Sequence, residues 1–259
     1  MAFTSEERWL SLAELAVRAR LSKPTAHRLL ATLLRRGFVA QDEATGRYGL
    51  GLEVHTLASL SQTDLREHAL PVMRWIRDAV NETVVLGVRD GDDRVHIEHV
   101  ESLQPYRRTS RLGERIPLYA GAGSKVLLAG MDDREVDAYL ARTRLVAFSP
   151  TTITEPARLR AEVARIRDRG YAESRNERDY GGAGIAAPVR DRTGAVVAVL
   201  HVSAPETRYT PELRERCIAV MLDGVARFSR ELGYGPAGAA PPAPRTSNQT
   251  PARRTRRRH

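Results

Sequence analysis

Cysteine is almost missing from this chain. Cys217 stands alone, so no intramolecular disulfide can form, and the sequence reads as that of a cytoplasmic protein. Long apolar runs are missing too: no stretch approaches the roughly 18 consecutive residues of a membrane helix, so no membrane partner is expected. The opening residues, MAFTSEERWL, carry acids and lack the basic-then-apolar order of a secretory signal. There is no Gly-x-Ser-x-Gly, and Cys217 falls inside an amphipathic segment near the C-terminus, where a thiol is core rather than nucleophile. No catalytic residue, cofactor motif or metal site is therefore assigned, and the chain is not read as an enzyme. Lysine is scarce as well: of 41 Lys and Arg residues, only Lys23 and Lys125 are lysines.

What is present is an ordinary soluble composition, 42% hydrophobic and 28% charged over 259 residues, enough for one large domain or two of usual size. The net charge of +9 is unevenly placed. Residues 234–259 contain six Arg and no acid, and residues 1–50 carry eight cations against five acids, which leaves the middle neutral. Basic ends suit phosphate, while a neutral middle suits a ligand or protein partner; the tail is equally readable as a solvated run. From Gly235 on, Pro, Ala, Gly, Ser and Arg cannot bury a core, and a disordered basic tail is expected over 234–259.

Residues 1–50 read as helix, turn, helix, hairpin. Ser11 and Glu14 form a capping box before Leu12, Leu15 and Ala16. Ser22 caps a second helix, with Pro24 in its first turn and Ala26, Leu29, Leu30 and Leu33 expected on one face. Gly37 stops it, and residues 38–40 and 47–50 flank a turn-rich loop. A linker helix is expected over 51–63 and a longer helix over about 64–80, with Leu70, Val72, Met73 and Ile76 inward. Strands follow at 83–89 and 94–101, with a further one near 105–112. Helices are expected at 121–130, 132–142 and 155–169, strands at 184–190 and 195–203, and a last helix from Thr210-Pro211. The domains are thus 1–50, a 51–63 linker and a 64–233 body.

Two short helices about a tight turn, the second capped and basic, form the arrangement that lays a helix in the major groove. Its leading residues, Ser22, Lys23, Pro24, Thr25, His27 and Arg28, would meet DNA. Arg28 suits a guanine edge, and Thr25 a base or phosphate. Arg47 at the hairpin would follow the backbone or enter the minor groove. The plain alternative is a helical hairpin with solvated cations.

The ordered set of segments resembles regulators of the IclR family. In the first half these are Leu12 to Ala16, Leu21 to Leu33, Gly37-Phe38-Val39 and Gly46 to Gly51. In the second half they are Leu118 to Ala129, Gly170 to Glu177, Ile185 to Asp191, Gly194 and Val202 to Pro205. The resemblance covers about residues 5–233. It implies an α+β chain: an N-terminal winged helix-turn-helix, a linker helix and a GAF/PAS-like α/β effector-binding domain. It also implies a homodimer or dimer of dimers on double-stranded operator DNA, with a small organic acid or aromatic metabolite as effector. Family members usually carry one more helix before the helix-turn-helix, of which Met1-Ala2-Phe3 would be the last turn. A reading head without it would expose the backs of Leu12, Leu15 and Leu29.

The resemblance also implies where the effector sits. The backbone of Ala122 and Gly123 would hold it, Ile116 would form a wall, and Ser174, Gly184, His201 and Ser203 would line the closing strands. Family members often have an acid, a cysteine and two serines at these four positions, and only the last serine persists. Gly184 in place of cysteine would make room for a larger ligand. Arg108 stands where an apolar residue is common; strand alternation would put it on one face with Tyr106 and Ser110, and an inward Arg favours an anion. The alternative leaves Arg108 on the surface and His201 a satisfied strand histidine. Gly123-Ser124-Lys125 lacks the remaining residues of a nucleotide phosphate loop. His96 and His99 would face opposite sides of a strand, which argues against a metal site.

Three functions stay open: a ligand-responsive repressor or activator; a ligand-binding protein or enzyme with a vestigial winged helix; and a non-specific DNA binder acting through its Arg-rich tail.

Overall fold

The computed structural model describes Phe3, residues 7–60 and residues 65–235, with no side-chain description at residues 55 and 58–60. Met1, Ala2, the end of the 51–63 linker and the basic tail from residue 236 lie outside the described residues.

The N-terminal elements follow local signals closely. In α1 (Leu12–Ala19) Ser11 and Glu14 cap reciprocally, with the Ser11 N–H donating to Glu14 Oε2 at 2.7 Å. Arg20, with φ of 55°, ends the helix. Ser22 then caps α2 (Lys23–Arg35) by accepting the Thr25 N–H; such a cap contributes about 1 kcal/mol. Gly37, at φ +73°, turns the chain into β1 (Val39–Gln41), which pairs with β2 (Tyr48–Leu50). Leu10 adds a short antiparallel rung on Tyr48. Leu10, Leu15, Leu30, Val39 and Tyr48 form the core of this unit.

The expected inward face of α2 needs correction. Ala26 and Leu30 are buried and Leu34 packs against the core, whereas Leu29 is 50% exposed and Leu33 38%. A stripe stepping by four residues suffices against so small a partner, and Leu29 and Leu33 lie about 100° off it. Of the leucines expected to be bare, Leu29 is exposed, Leu15 is buried and Leu12 is half-buried.

After α3 (Glu53–Leu60), the body opens with α4 (Leu65–Val80) and the hairpin β3 (Thr83–Asp90) and β4 (Asp93–Val100). It continues through β5 (Arg115–Pro117), α5 (Ala122–Ala129), α6 (Asp133–Arg142), α7 (Pro156–Arg169), β6 (Ala172–Arg175), β7 (Gly182–Arg190), β8 (Val196–Pro205) and α8 (Pro211–Glu231). The six strands form one antiparallel sheet in the order β5-β4-β3-β8-β7-β6. No described helix is long and apolar enough to cross a membrane.

Both faces of this sheet are covered, which is why β7 and β8 read as nearly continuous apolar runs. Val84, Leu86, Ile185 and Leu200 face α4 and α8, whereas Ala186 and Val199 face α5, α6 and α7. Ala69, Val72, Met73 and Ile76 form the buried stripe of α4; Leu70 is only half-buried. Gly224 lets α8 approach α4: a Cβ there would lie 2.7 Å from Ile76 Cδ1.

The strand expected near 105–112 is absent. The free edge of β4 is taken instead by Arg115–Pro117. Segment 102–108 is held by side chains: Ser102 Oγ donates to Asn81 O at 2.6 Å, and Thr83 Oγ1 donates to Arg108 O at 2.7 Å. The alternation argument that grouped Arg108 with Tyr106 and Ser110 falls with that strand. Arg108 and Ser110 line a cavity that Tyr106, 71% exposed, does not reach.

Candidate functional site

The first half of α2 is laid bare as a DNA-reading helix requires. Ser22, Lys23, Pro24, His27 and Arg28 are exposed and Thr25 is half-exposed, while α2 contains no acid. Ser22 and Thr25 are tied together, Oγ to Oγ1 at 2.9 Å, which rigidifies the leading turn. Lys23 and Arg28 make no ion pair among the described residues, so their charge is uncommitted. Arg47 behaves differently from expectation. Its guanidinium folds back, donating to Trp9 O at 2.9 Å and lying 3.5 Å from Glu14 Oε2. It braces the hairpin against the first helix.

The second site is a cavity of about 40 Å³ in the body, between the N-terminal end of α5 and the sheet. Arg108, Ala122, Ser174, His201 and Ser203 line it as expected. Gly123, Ile116 and Gly184 do not. Ile116 is buried beside Arg94, its partner across the β4–β5 ladder. Gly184 opens no room: a Cβ there would lie 2.1 Å from Val202 O and 2.9 Å from Nε2 of His201, whose imidazole fills the space. The Ala122 N–H is also committed, donating to Ser174 Oγ at 3.2 Å.

The electrostatics centre on a residue the sequence did not single out. Arg94, on β4, is 4% exposed, and its side chain makes no hydrogen bond or ion pair among the described residues; its buried Nε has no partner. Burial, with Arg178 nearby, pushes its pKa down to about 9, still charged at neutral pH, and Glu114 opposes that shift. The other cations of the cavity are matched. Arg108 is ion-paired with Asp179. Arg178 lies 3.0 Å from Glu114 and 3.2 Å from Asp179. Lys125 Nζ is buried 2.7 Å from Glu177 Oε2. Arg108 was the expected anion-binding arginine; with Asp179 upon it, Arg94 is the cation left unbalanced. The sequence carried no signal for Arg94: in Arg94-Val95-His96-Ile97-Glu98 it stands at a polar position of an alternating strand, where a solvent-facing side chain is expected.

Three histidines share this face. His96 pairs across the ladder with Gly87, and His99 with Val85, two residues earlier on the same strand. A bulge at Leu86/Gly87 shifts the alternation by one residue, so His96 and His99 lie on one side of the sheet and not on opposite sides. Val85 also pairs with His201. Among the described residues no group of three His, Cys, Asp or Glu is placed to hold a metal. Burial lowers the pKa of His96 and, much further, that of His201, so both are neutral near pH 7. Glu114 Oε2 lies 3.4 Å from His96 Nδ1; that imidazole and Arg178 hold the Glu114 carboxyl down at about 2. Neither ring nitrogen of His96 makes a hydrogen bond among the described residues.

This pairing of an exposed basic helix with a separate charged cavity has close parallels. Residues 1–43 match the IclR helix-turn-helix domain, and residues 57–230 match the C-terminal domain of the bacterial transcriptional regulator IclR. The HTH-type transcriptional regulator KdgR of Escherichia coli is 35% identical over 231 residues, 88% of each chain. The crystal structure of the Thermotoga maritima IclR is 32% identical, with a TM-score of 0.69 over 87% of this chain and 92% of that one. An IclR homologue from Microbacterium hydrocarbonoxydans, solved with 4-hydroxybenzoate, shares the fold, with a TM-score of 0.79 at 24% identity over 90% and 95% of the two chains. These relatives are regulators and not enzymes. The chain, a helix-turn-helix unit followed by an α/β ligand-binding domain, belongs to the IclR family of transcriptional regulators.

Proposed function

We propose that this regulator binds its operator through the exposed leading turns of α2, and that a small organic anion seated at Arg94 changes that affinity. The single observation that carries the reading is Arg94 itself. A buried guanidinium with no carboxylate partner is costly, and its natural complement is a carboxylate delivered by a ligand. The cavity, about 40 Å³, has room for the carboxylate of such a ligand beside the guanidinium.

Residues 1–50 act as the reading head, 51–63 as linker and 64–233 as sensor, in the cytoplasm. Lys23 and Arg28 are free to meet phosphate and base. Arg47 supports the hairpin and does not reach for the minor groove. The working form is a homodimer or dimer of dimers, since twofold protein symmetry matches a palindromic operator; exposed Val17, Leu29 and Leu33 offer apolar surface for it. Ligand and operator must then shift one another's affinity by the same factor.

The test is fluorescence anisotropy on the chain's own upstream DNA against a scrambled duplex, across a salt series. A specific complex keeps a ratio of roughly 10³ or more at physiological salt. Arg28→Ala should narrow that ratio, and Lys23→Ala should weaken both duplexes and lower the salt slope by about one. Equal binding to both duplexes, abolished by removing residues 234–259, would overturn the reading in favour of non-specific binding by the tail.

A further inference from the structure

The residue types of α2 limit which bases it can read. In the major groove Asn or Gln grips adenine, Asp or Glu accepts from cytosine, and Arg or Lys grips guanine, while thymine offers its C5 methyl to apolar groups. The 13 residues of α2, KPTAHRLLATLLR, contain no Asn, Gln, Asp or Glu. No side chain on this helix can hold adenine by its forked edge, and no carboxylate can accept from cytosine.

The exposed face narrows the set further. Ala26 and Leu30 are buried and Leu34 packs against the core, which fixes the inward direction. At about 100° per residue, Thr25, Arg28, Thr32 and Arg35 lie within about 40° of the opposite direction, Pro24 within about 60°, and His27 about 120° away. Both threonine hydroxyls are turned back along the helix. Thr25 Oγ1 lies 2.9 Å from Ser22 Oγ, and Thr32 Oγ1 donates to Arg28 O at 3.1 Å. Their methyl groups and the Pro24 ring are what is left to meet DNA, on either side of Arg28. Pro24 and Thr25 precede Arg28 by about 4.5–6 Å along the axis, and Thr32 follows by about 6 Å, which is one to two base steps of about 3.4 Å. Arg35 and Arg36, both exposed, end the helix some 10 Å beyond Arg28, where a straight helix leaves the groove and phosphate is at hand.

The hairpin adds no second reader. Arg47 is held on Trp9 O, and Gln41 Nε2 donates to Gly46 O at 3.0 Å. Asp42 Oδ1 accepts the Thr45 N–H at 2.7 Å and its hydroxyl at 2.6 Å. Glu43, exposed at the turn, is repelled by phosphate.

We propose that each operator half-site is centred on one guanine gripped by Arg28, with thymine methyl groups one to two steps to either side met by Pro24, Thr25 and Thr32, and that adenine and cytosine are not read through their own edges. This rests on the operator-binding reading above and adds to it the bases that are read.

The test is selection of duplexes from a randomised pool by the full chain, followed by fluorescence anisotropy on the selected site with one base altered at a time. The pool should yield a guanine with A·T pairs one to two steps to each side. Replacing that G·C pair should weaken binding roughly 5- to 150-fold. 7-Deazaguanine, which lacks only the N7 acceptor, should weaken it at least about tenfold. Uracil for thymine, which removes one methyl, should cost about fourfold at each contacted position. Arg28→Ala should relax the preference at the guanine alone, with its thermal melt reporting that it folds. The comparisons made with the wild-type chain hold whatever that variant does. Specific binding indifferent to 7-deazaguanine, or to uracil at every A·T pair, would overturn the base assignment and leave operator binding standing. If the pool yields no preferred sequence, both fall together.

Discussion

The guanidinium of Arg94 occupies the place where a side chain on Gly123 would begin: a Cβ built there lies 1.8 Å from Nη1 and 3.0 Å from Cζ. Gly123 is thus part of the anion site, though not as a backbone donor; by lacking a side chain it admits the arginine. Gly123→Ala should displace the guanidinium and weaken binding of small acids at least about tenfold, with the helix content of α5 kept, since Ala favours helix over Gly. Calorimetry and far-UV circular dichroism would check this. Unchanged binding would mean that the guanidinium is not the seat.

Arg94 should cost stability in the absence of ligand. Its stem packs on Gly87, where a Cβ would lie 3.0 Å from both Cγ and Cδ, and its charge is buried without an ion-pair partner. Arg94→Met keeps the stem and removes the charge. We expect a gain of roughly 1–3 kcal/mol, or a melting temperature higher by about 2–4 °C per kcal/mol, together with loss of any thermal shift by added acids. A lower melting temperature would contradict this account.

The buried histidines make stability depend on pH in a defined direction. Their pKa values lie below the ordinary 6.5, lowered first by desolvation and then, for His201, by Arg94. Below pH 6.5 the unfolded chain therefore takes up protons that the folded chain refuses, and stability falls as pH falls, by at most about 1.4 kcal/mol per histidine per pH unit. Glu177, raised by desolvation, opposes this above its ordinary 4.5, but as one group against two. Glu114, held near 2, adds a further loss as pH drops below 4.5. Melts from pH 7 to pH 5 should show a falling midpoint, and His201→Gln should flatten the slope. A midpoint that rises toward pH 5 would mean the imidazoles are charged in the fold.

Much of the N-terminal unit is legible in order along the chain. Ser11 with Glu14, Ser22, and Gly37 act on backbone groups within a few residues of themselves, so their effects need no tertiary knowledge. The same holds for Thr210-Pro211 at the start of α8 and Gly170 at the end of α7. Where the reading failed, the deciding contact was remote. Pattern alone put Leu29 and Leu33 inside, but the partner surface is only wide enough for Ala26, Leu30 and Leu34. The segment 105–112 looked like a strand, but the edge it would have joined went to β5.

The candidate site shows the division most sharply. The amino-acid sequence by itself determined the helix caps and stops, the hairpin turns, the apolar runs of β7 and β8 and the exposed basic turn of α2, because each depends on near neighbours and on periodicity. Tertiary structure alone decided which arginine is free. Arg108 meets Asp179, 71 residues away, while Arg94 makes no ion pair among the described residues and feels Glu114 only at a distance. It also decided that His96 and His99 share a face, through one bulge, and that Gly184 leaves no space, through the ring of His201. Ion pairing, register and cavity volume are set by distances between segments far apart in the chain, and no local pattern of residue types encodes those distances.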